Sequence, residues 1–219
     1  MDLILETQDL RAYLKESRTV DFHSPLVQEK TAEIQFRATR DEEQAKIAFK
    51  FVRDEIHHSF DLNSDIVTIS ASEAMACKEG ICFAKSHLLA ALLRGLGIPA
   101  GFCYQRVTRK GTPESGYALH GLNAVYLPSR KVWFRIDPRG NKEGVNSQFN
   151  IEHEQLAYTI KTGIGEMDYP YVFANPLEEV ITSMHDSADS HELFTKRPEA
   201  LNISQDTLSN FVSAMKSIR

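Results

Sequence analysis

No stretch of this chain runs the roughly 18 apolar residues that a membrane-spanning helix requires. The opening MDLILETQDLRAYLKES meets an acid at position 2 and an arginine at position 11, where a signal peptide would hold about 7–15 apolar residues. A cytoplasmic protein without a membrane partner is therefore expected. Cysteine is scarce: three thiols in 219 residues do not make a disulfide framework, which fits a reducing compartment and leaves each thiol to be explained individually. Positive charge is scarce too. Lys and Arg number 25 against 30 Asp and Glu, for a net charge of −5, so there is no broad positive field for a phosphate backbone and nucleic acid is not an expected partner. Internal repeats and low-complexity tracts are missing. No EF-hand-type run of spaced acids appears either, and neither a metal nor a cofactor is expected.

What is present suits an ordinary globular domain: 42% hydrophobic and 25% charged residues can bury a full core. Residues 1–219 read as one domain, with residues 181–219 as a C-terminal extension. Helices come first. SPLVQEKTAEIQ offers Ser24 as N-cap and Pro25 at the first helical position, and DEEQAKIAFKFVRDEIHH spaces apolar residues at 45, 48, 49, 52 and 56 in helical fashion. SASE at 70–73 fits a capping box that opens a short helix, which Gly80 would close in a left-handed conformation. A long apolar helix follows, stopped by Gly97 and Pro99. GFCYQRV, GLNAVYL and VWFRID then read as three strands, giving an α+β fold with an antiparallel sheet packed on the central helix. NPLEEVITSMH predicts a further helix, and the last thirty residues a polar loop with a short helix.

The thiols differ in their surroundings. A thiol ordinarily ionises near about 8.5 and attacks as the thiolate, so a catalytic cysteine needs something that favours the anion. Cys82 follows Glu79-Gly80-Ile81 and opens the long apolar helix, placing it where unpaired N–H groups and the helix dipole point. Its own N–H is a donor for an oxyanion. Cys77 ends the preceding short helix, where the dipole has the opposite effect, and Cys103 sits within a strand as a buried inert thiol. The spacing between Cys77 and Cys82 misses the usual zinc pattern; a redox pairing of the two stays open.

A nucleophile needs a base. His87 lies five residues beyond Cys82, about 140° round the helix, and is excluded as its partner. His57 and His58 end a helix and suit a C-terminal capping role. His120 opens a strand whose antiparallel neighbour ends in Asp137, so the two side chains can meet across the sheet, as in a Cys–His–Asp arrangement. Alternation along 132–137 turns Val132, Phe134 and Ile136 to the core and leaves Trp133, Arg135 and Asp137 on the other face. Trp133 and Arg135 are secondary candidates for substrate contact, with ion pairing the competing role for Arg135. Lys85 and Ser86, within about 60° of Cys82 on its helix, are two more, against the reading of a solvated face.

GICFAKSHLLAALLRGLGIPAG, then HGLNAVYL, then VWFRIDPRG resembles the transglutaminase-like superfamily, most closely its small bacterial transglutaminase-domain proteins. The likeness covers roughly residues 15–180. It implies a fold related to papain, with Cys82 as nucleophile, His120 as general base and acid, and Asp137 as orienting carboxylate. It further implies acyl transfer through a thioester on a peptide or protein amide, with hydrolysis favoured over transfer to an amine in the absence of an acceptor-binding domain. Family members often carry an aromatic residue soon after the histidine, where this chain has His-Gly-Leu-Asn; that departure bears on the substrate and leaves the three residues in place. The alternative is a non-catalytic module that binds a peptide or protein through the same cleft.

Overall fold

The structure, a computed structural model, describes residues 1–203 and 205–216. A short strand β1 (Ile4–Leu5) is followed by helices α1 (Pro25–Arg37), α2 (Asp41–Glu55), the single turn α3 (Ser59–Leu62) and α4 (Ala71–Cys77), which lead into α5 (Cys82–Gly95). Pro25 stands at the start of α1 with Ser24 at the N-cap, although the Ser24 hydroxyl makes no capping bond. The capping box of α4 is complete: Ser70 accepts from the Glu73 N–H at 3.2 Å and Glu73 accepts from the Ser70 N–H at 3.0 Å. The left-handed residue ending α4 is Lys78 (φ 56°), not Gly80. Gly80 serves by its lack of a side chain, since a Cβ there would lie 2.7 Å from Thr68 Oγ1 and 2.8 Å from the Ala84 Cβ.

Helix α5 is buried on every side from Cys82 to Arg94, as expected of a helix that is apolar nearly all round. Helices α1, α2 and α4 cover one side. Strands β2 (Ala100–Thr108) and β3 (Tyr117–Leu127) cover the other. Polar side chains on such a helix must find partners inside the protein, and these bind the carbonyls around it. Lys85 Nζ donates to the carbonyl of Ile56, His87 Nδ1 lies 2.7 Å from the Ile69 carbonyl, and Arg94 donates to the carbonyls of Lys15, Ala100 and Ala174.

The sheet adds β4 (Val132–Ile136) and the short β5 (Met167–Asp168), in the order β4-β3-β2-β5, antiparallel throughout. The α+β class with an antiparallel sheet on a central helix is thus the observed one. β3 begins at Tyr117, so His120 lies inside the strand and does not open it. A last strand, β6 (Tyr171–Val172), pairs in parallel with β1; MDYPYV (167–172) supplies β5 and β6, elements too short for periodicity to reveal. Helices α6 (Glu178–His185), α7 (Ser190–Lys196) and α8 (Gln205–Lys216) complete the described chain. The C-terminal extension is more ordered than a polar loop, for Leu193 and Phe211 are buried in the same core as α5. No helix among the described residues is long and apolar enough to cross a membrane.

The Gly80 contact is testable. Gly80→Ala is expected to lower unfolding free energy in urea by about 1–3 kcal/mol, the usual cost of overpacking; a change under about 0.5 kcal/mol would show that the α4–α5 junction has room to spare.

Candidate active site

Cys82 is the first residue of α5, preceded by Ile81 in extended conformation. The first-turn amides of a helix have no partner within it and the dipole places partial positive charge there. Burial by itself pushes the Cys82 thiol up, but a hydrogen bond to His120, the positive charge of that ring, the Arg197 guanidinium and the Gly121 amide together hold it below its ordinary value. Gly121 is required where it is: a Cβ would sit 2.7 Å from Phe83 Cδ1, and the close approach of β3 to the first turn of α5 would be lost.

His120 and Asp137 meet across the β3–β4 pair. Asn123 lies opposite Ile136, so the chain leaving β4 brings Asp137 diagonally beside His120, and the following Pro138 favours extended backbone at Asp137. His120 Nε2 lies 2.7 Å from Asp137 Oδ2, which leaves Nδ1 to face Cys82. Asp137 is wholly buried, and a buried carboxylate needs partners. The Arg139 N–H donates to its Oδ1 and the Ala157 N–H to its Oδ2, each at 3.0 Å. Burial pushes the Asp137 carboxyl up, but the His120 charge and hydrogen bond and these two amides leave it below the ordinary carboxylate range. Burial likewise pushes His120 down, yet Asp137 and the Cys82 thiol hold it well above the usual imidazole value. The Tyr158 ring meets the imidazole edge-on, centroids 4.8 Å apart, and its hydroxyl accepts from Arg139 Nε at 3.0 Å.

Cys82 and His120 open onto a cleft of ≈ 1010 Å³. Part of its wall comes from the C-terminal extension. Arg197, just past α7, is buried, lies over the rings of Phe60 and Phe194 with its guanidinium carbon 4.9 Å and 5.0 Å from their centroids, and faces Cys82. Arg109 fixes that segment by donating to the carbonyls of Phe194, Thr195 and Arg197. His58 is buried in the cleft wall at the N-cap of α3, and is not a helix C-terminal cap. Gln105, opposite His120 in the sheet register, lines the cleft as well. None of these was visible as a site residue in the sequence; only Arg135, beside Asp137, hinted at a charged wall.

The secondary candidates fare differently. Lys85 and Ser86 are buried away from the cleft, neither touching substrate space nor forming a solvated face: three helices and two strands leave α5 no wet side. Burial pushes the Lys85 amine down to about 7. Trp133 packs against Tyr13 at 4.9 Å and Tyr126 at 5.5 Å, outside the cleft. Arg135 reaches the cleft but is engaged by Glu154 and Asp168, with bonds of 2.7–2.9 Å to each. Cys77 is exposed, Cys103 is buried and pushed up to about 12, and all three cysteines are free. Among the described residues no group of three or more His, Cys, Asp or Glu is placed to hold a metal ion.

A family model described as the transglutaminase-like superfamily matches residues 28–138. No curated protein matches the sequence. Among solved structures, a candidate cysteine protease from Cytophaga hutchinsonii aligns with 60% of the chain at 18% identity and a TM-score of 0.49. The periplasmic domain of TgpA from Pseudomonas aeruginosa aligns with 61% at 17% identity and a TM-score of 0.44. The aligned region spans 42% and 48% of those two proteins.

Removing the carboxylate should be costly. Asp137→Ala leaves a buried imidazole without its counter-charge and is expected to lower stability by about 3–5 kcal/mol at pH 7. Because the folded state holds the Asp137 carboxyl below its unfolded value of about 3.9, its stabilisation is complete above that value and is lost as pH falls through the folded one. The gap between wild type and variant in urea unfolding should therefore narrow below about pH 4; a gap independent of pH would contradict the assignment.

Proposed function

The chain belongs to the transglutaminase-like superfamily, and from that premise we propose that it is a thiol-dependent acyl-transfer enzyme that acts on a peptide or protein amide through Cys82, His120 and Asp137. The observation that carries this reading is the convergence, in one cleft, of a thiol at a helix N-terminus, an imidazole beside it, and a buried carboxylate 2.7 Å behind the imidazole.

The chemistry follows from the protonation states. With the thiol held low and the imidazole held high, the resting pair is thiolate and imidazolium. The Cys82 sulfur attacks the amide carbonyl carbon, and the oxygen gains the electron pair of the broken π bond. The Cys82 N–H and the first turn of α5 face that oxyanion. His120 passes its Nδ1 proton to the leaving nitrogen, the C–N bond breaks, and a thioester remains on Cys82. Asp137 stays ionised and keeps the ring oriented. Neutral His120 then takes a proton from the incoming nucleophile as it attacks the thioester, and the thiolate departs. Water as that nucleophile makes the enzyme an amidase or peptidase. Hydrolysis is the favoured course because the rim of the cleft, at Lys110, Gly111 and Asn146, is exposed and admits water.

Turnover of a peptide library, followed by mass spectrometry with and without a millimolar primary amine, tests the proposal. Wild type should release free acids with little amine adduct. Cys82→Ala and His120→Ala should each lose about 10³-fold or more in kcat while keeping the native circular dichroism spectrum. Amine adducts as the main product would reverse the preference for water, and full activity in Cys82→Ala would end the thiol mechanism.

A further inference from the structure

The C-terminal wall of the cleft carries a cation that faces the Cys82 thiol and helps to hold it low, yet that cation has no carboxylate of its own. Arg197 is 9% exposed, and its Nε has no hydrogen-bond partner. Among the described residues no carboxylate forms an ion pair with it. The other buried arginines of the cleft are satisfied: Arg139 binds Asp61 and Tyr158, and Arg135 binds Glu154 and Asp168. Buried guanidinium groups are paired as a rule, so the exception points to a partner that arrives with the substrate. The side chain is also held ready for one, lying over the rings of Phe60 and Phe194, while Arg109 fixes the backbone that carries it.

His58 also packs edge-on against Phe60, its centroid 5.3 Å from that of Phe60, and it is near enough to Arg197 to feel its charge. Its Nδ1 is buried and has no partner. Burial and the nearby Arg139 charge keep the ring neutral, so it offers hydrogen bonding without a second positive charge. A guanidinium that faces only the thiol and has no carboxylate partner, with a neutral imidazole near it, matches a single added negative charge. That is a carboxylate, which takes a guanidinium side-on through two parallel bonds; a phosphate dianion would leave a surplus charge buried.

We propose that Arg197, with His58 beside it, is a subsite for a carboxylate of the substrate, held next to the Cys82 thiol, so that the protein selects amides bearing a carboxylate close to the scissile carbonyl. This deepens the thiol-enzyme reading and rests on it. The carboxylate belongs either to the chain terminus one residue beyond the cleaved bond or to an acidic side chain beside it, and the two share the same recognition chemistry.

Two alkylating agents of nearly equal size separate this role from simple support of the thiolate. Iodoacetate and iodoacetamide both alkylate a thiolate through their CH2 carbon, the new C–S bond replacing the C–I bond as iodide leaves, but only the first carries a carboxylate. Second-order rates are measured for both at Cys82 and at the exposed Cys77 of the same full-length protein, at pH 7.5 and low salt, by mass spectrometry. The iodoacetate-to-iodoacetamide rate ratio at Cys82 should exceed that at Cys77 by tenfold or more and fall to the Cys77 value in Arg197→Met. A guanidinium that acts only as counter-charge to the thiolate would slow both reagents alike in that variant and leave the ratio unchanged, which would overturn the proposal. So would equal ratios at the two cysteines of wild type, a comparison that holds even if the variant does not fold. Reaction with iodoacetamide but no preference for iodoacetate would remove the carboxylate subsite and leave the thiolate standing; a Cys82 inert to both would remove both. Protection of Cys82 by millimolar N-acetylglycine supports a terminal carboxylate, and protection by N-acetylaspartate α-amide supports a side-chain one. Protection by neither counts against the subsite.

Discussion

A buried imidazole held between a thiol and a carboxylate is the constraint on which the rest of this molecule depends. An isolated ion out of water is expensive and a buried one persists only with partners. His120 has two, the Cys82 thiol and the Asp137 carboxylate. Asp137 in turn takes the amides of Arg139 and Ala157, and its own carbonyl accepts from the Ser147 hydroxyl at 2.7 Å. The long connection after β4 is thus folded back onto the carboxylate it leaves behind. Arg139 extends the same network to Asp61 in α3, and Lys142 joins it at 2.6 Å. A chain of satisfied polar groups runs from the thiol to the surface, as a buried network requires if it is not to be worse than an apolar one.

The other half of the constraint is the placement of α5. A helix end can favour an anion only if it is fixed against the strand that carries the base, and here the helix is fixed from all sides. Its buried lysine, histidine and arginine each bind loop carbonyls from different parts of the chain. They act as ties between helix and scaffold. Absent side chains at Gly80 and Gly121 allow α5 to approach α4 and β3 closely enough for the thiol to meet the ring.

What the sequence revealed and what it hid divide along physical lines. The Cys82 position was legible because a helix N-terminus has local markers, and the His120–Asp137 meeting because strand alternation and a Pro after the aspartate are local too. Lys85 and Ser86 were misjudged for the opposite reason. Angular position on a helix says which residues share a face, but not that α1, α2, α4 and the sheet would cover every face. His58 was read from the helix before it, while its environment is set by Arg139 and Arg197, far away along the chain. Arg197 and Phe194 lie in a polar segment with weak patterning, where nothing local signals that Arg109 carries it to the cleft. β1 and β6 pair residues over 160 positions apart, beyond the reach of any window.

These relations put a cleft with one reactive corner, and one cation without a carboxylate partner, on a rigid frame, and the reactive corner is the claim to test first. Thiolate absorbance near 240 nm, titrated from pH 4 to 10 in wild type and in Cys82→Ser, measures the ionisation of Cys82 by difference. The account predicts a difference signal already present well below pH 7 and lost only as Cys82 itself takes up a proton. A difference signal that emerges only near the ordinary thiol value of about 8.5 would show that no thiolate–imidazolium pair exists, and would contradict the account at its root.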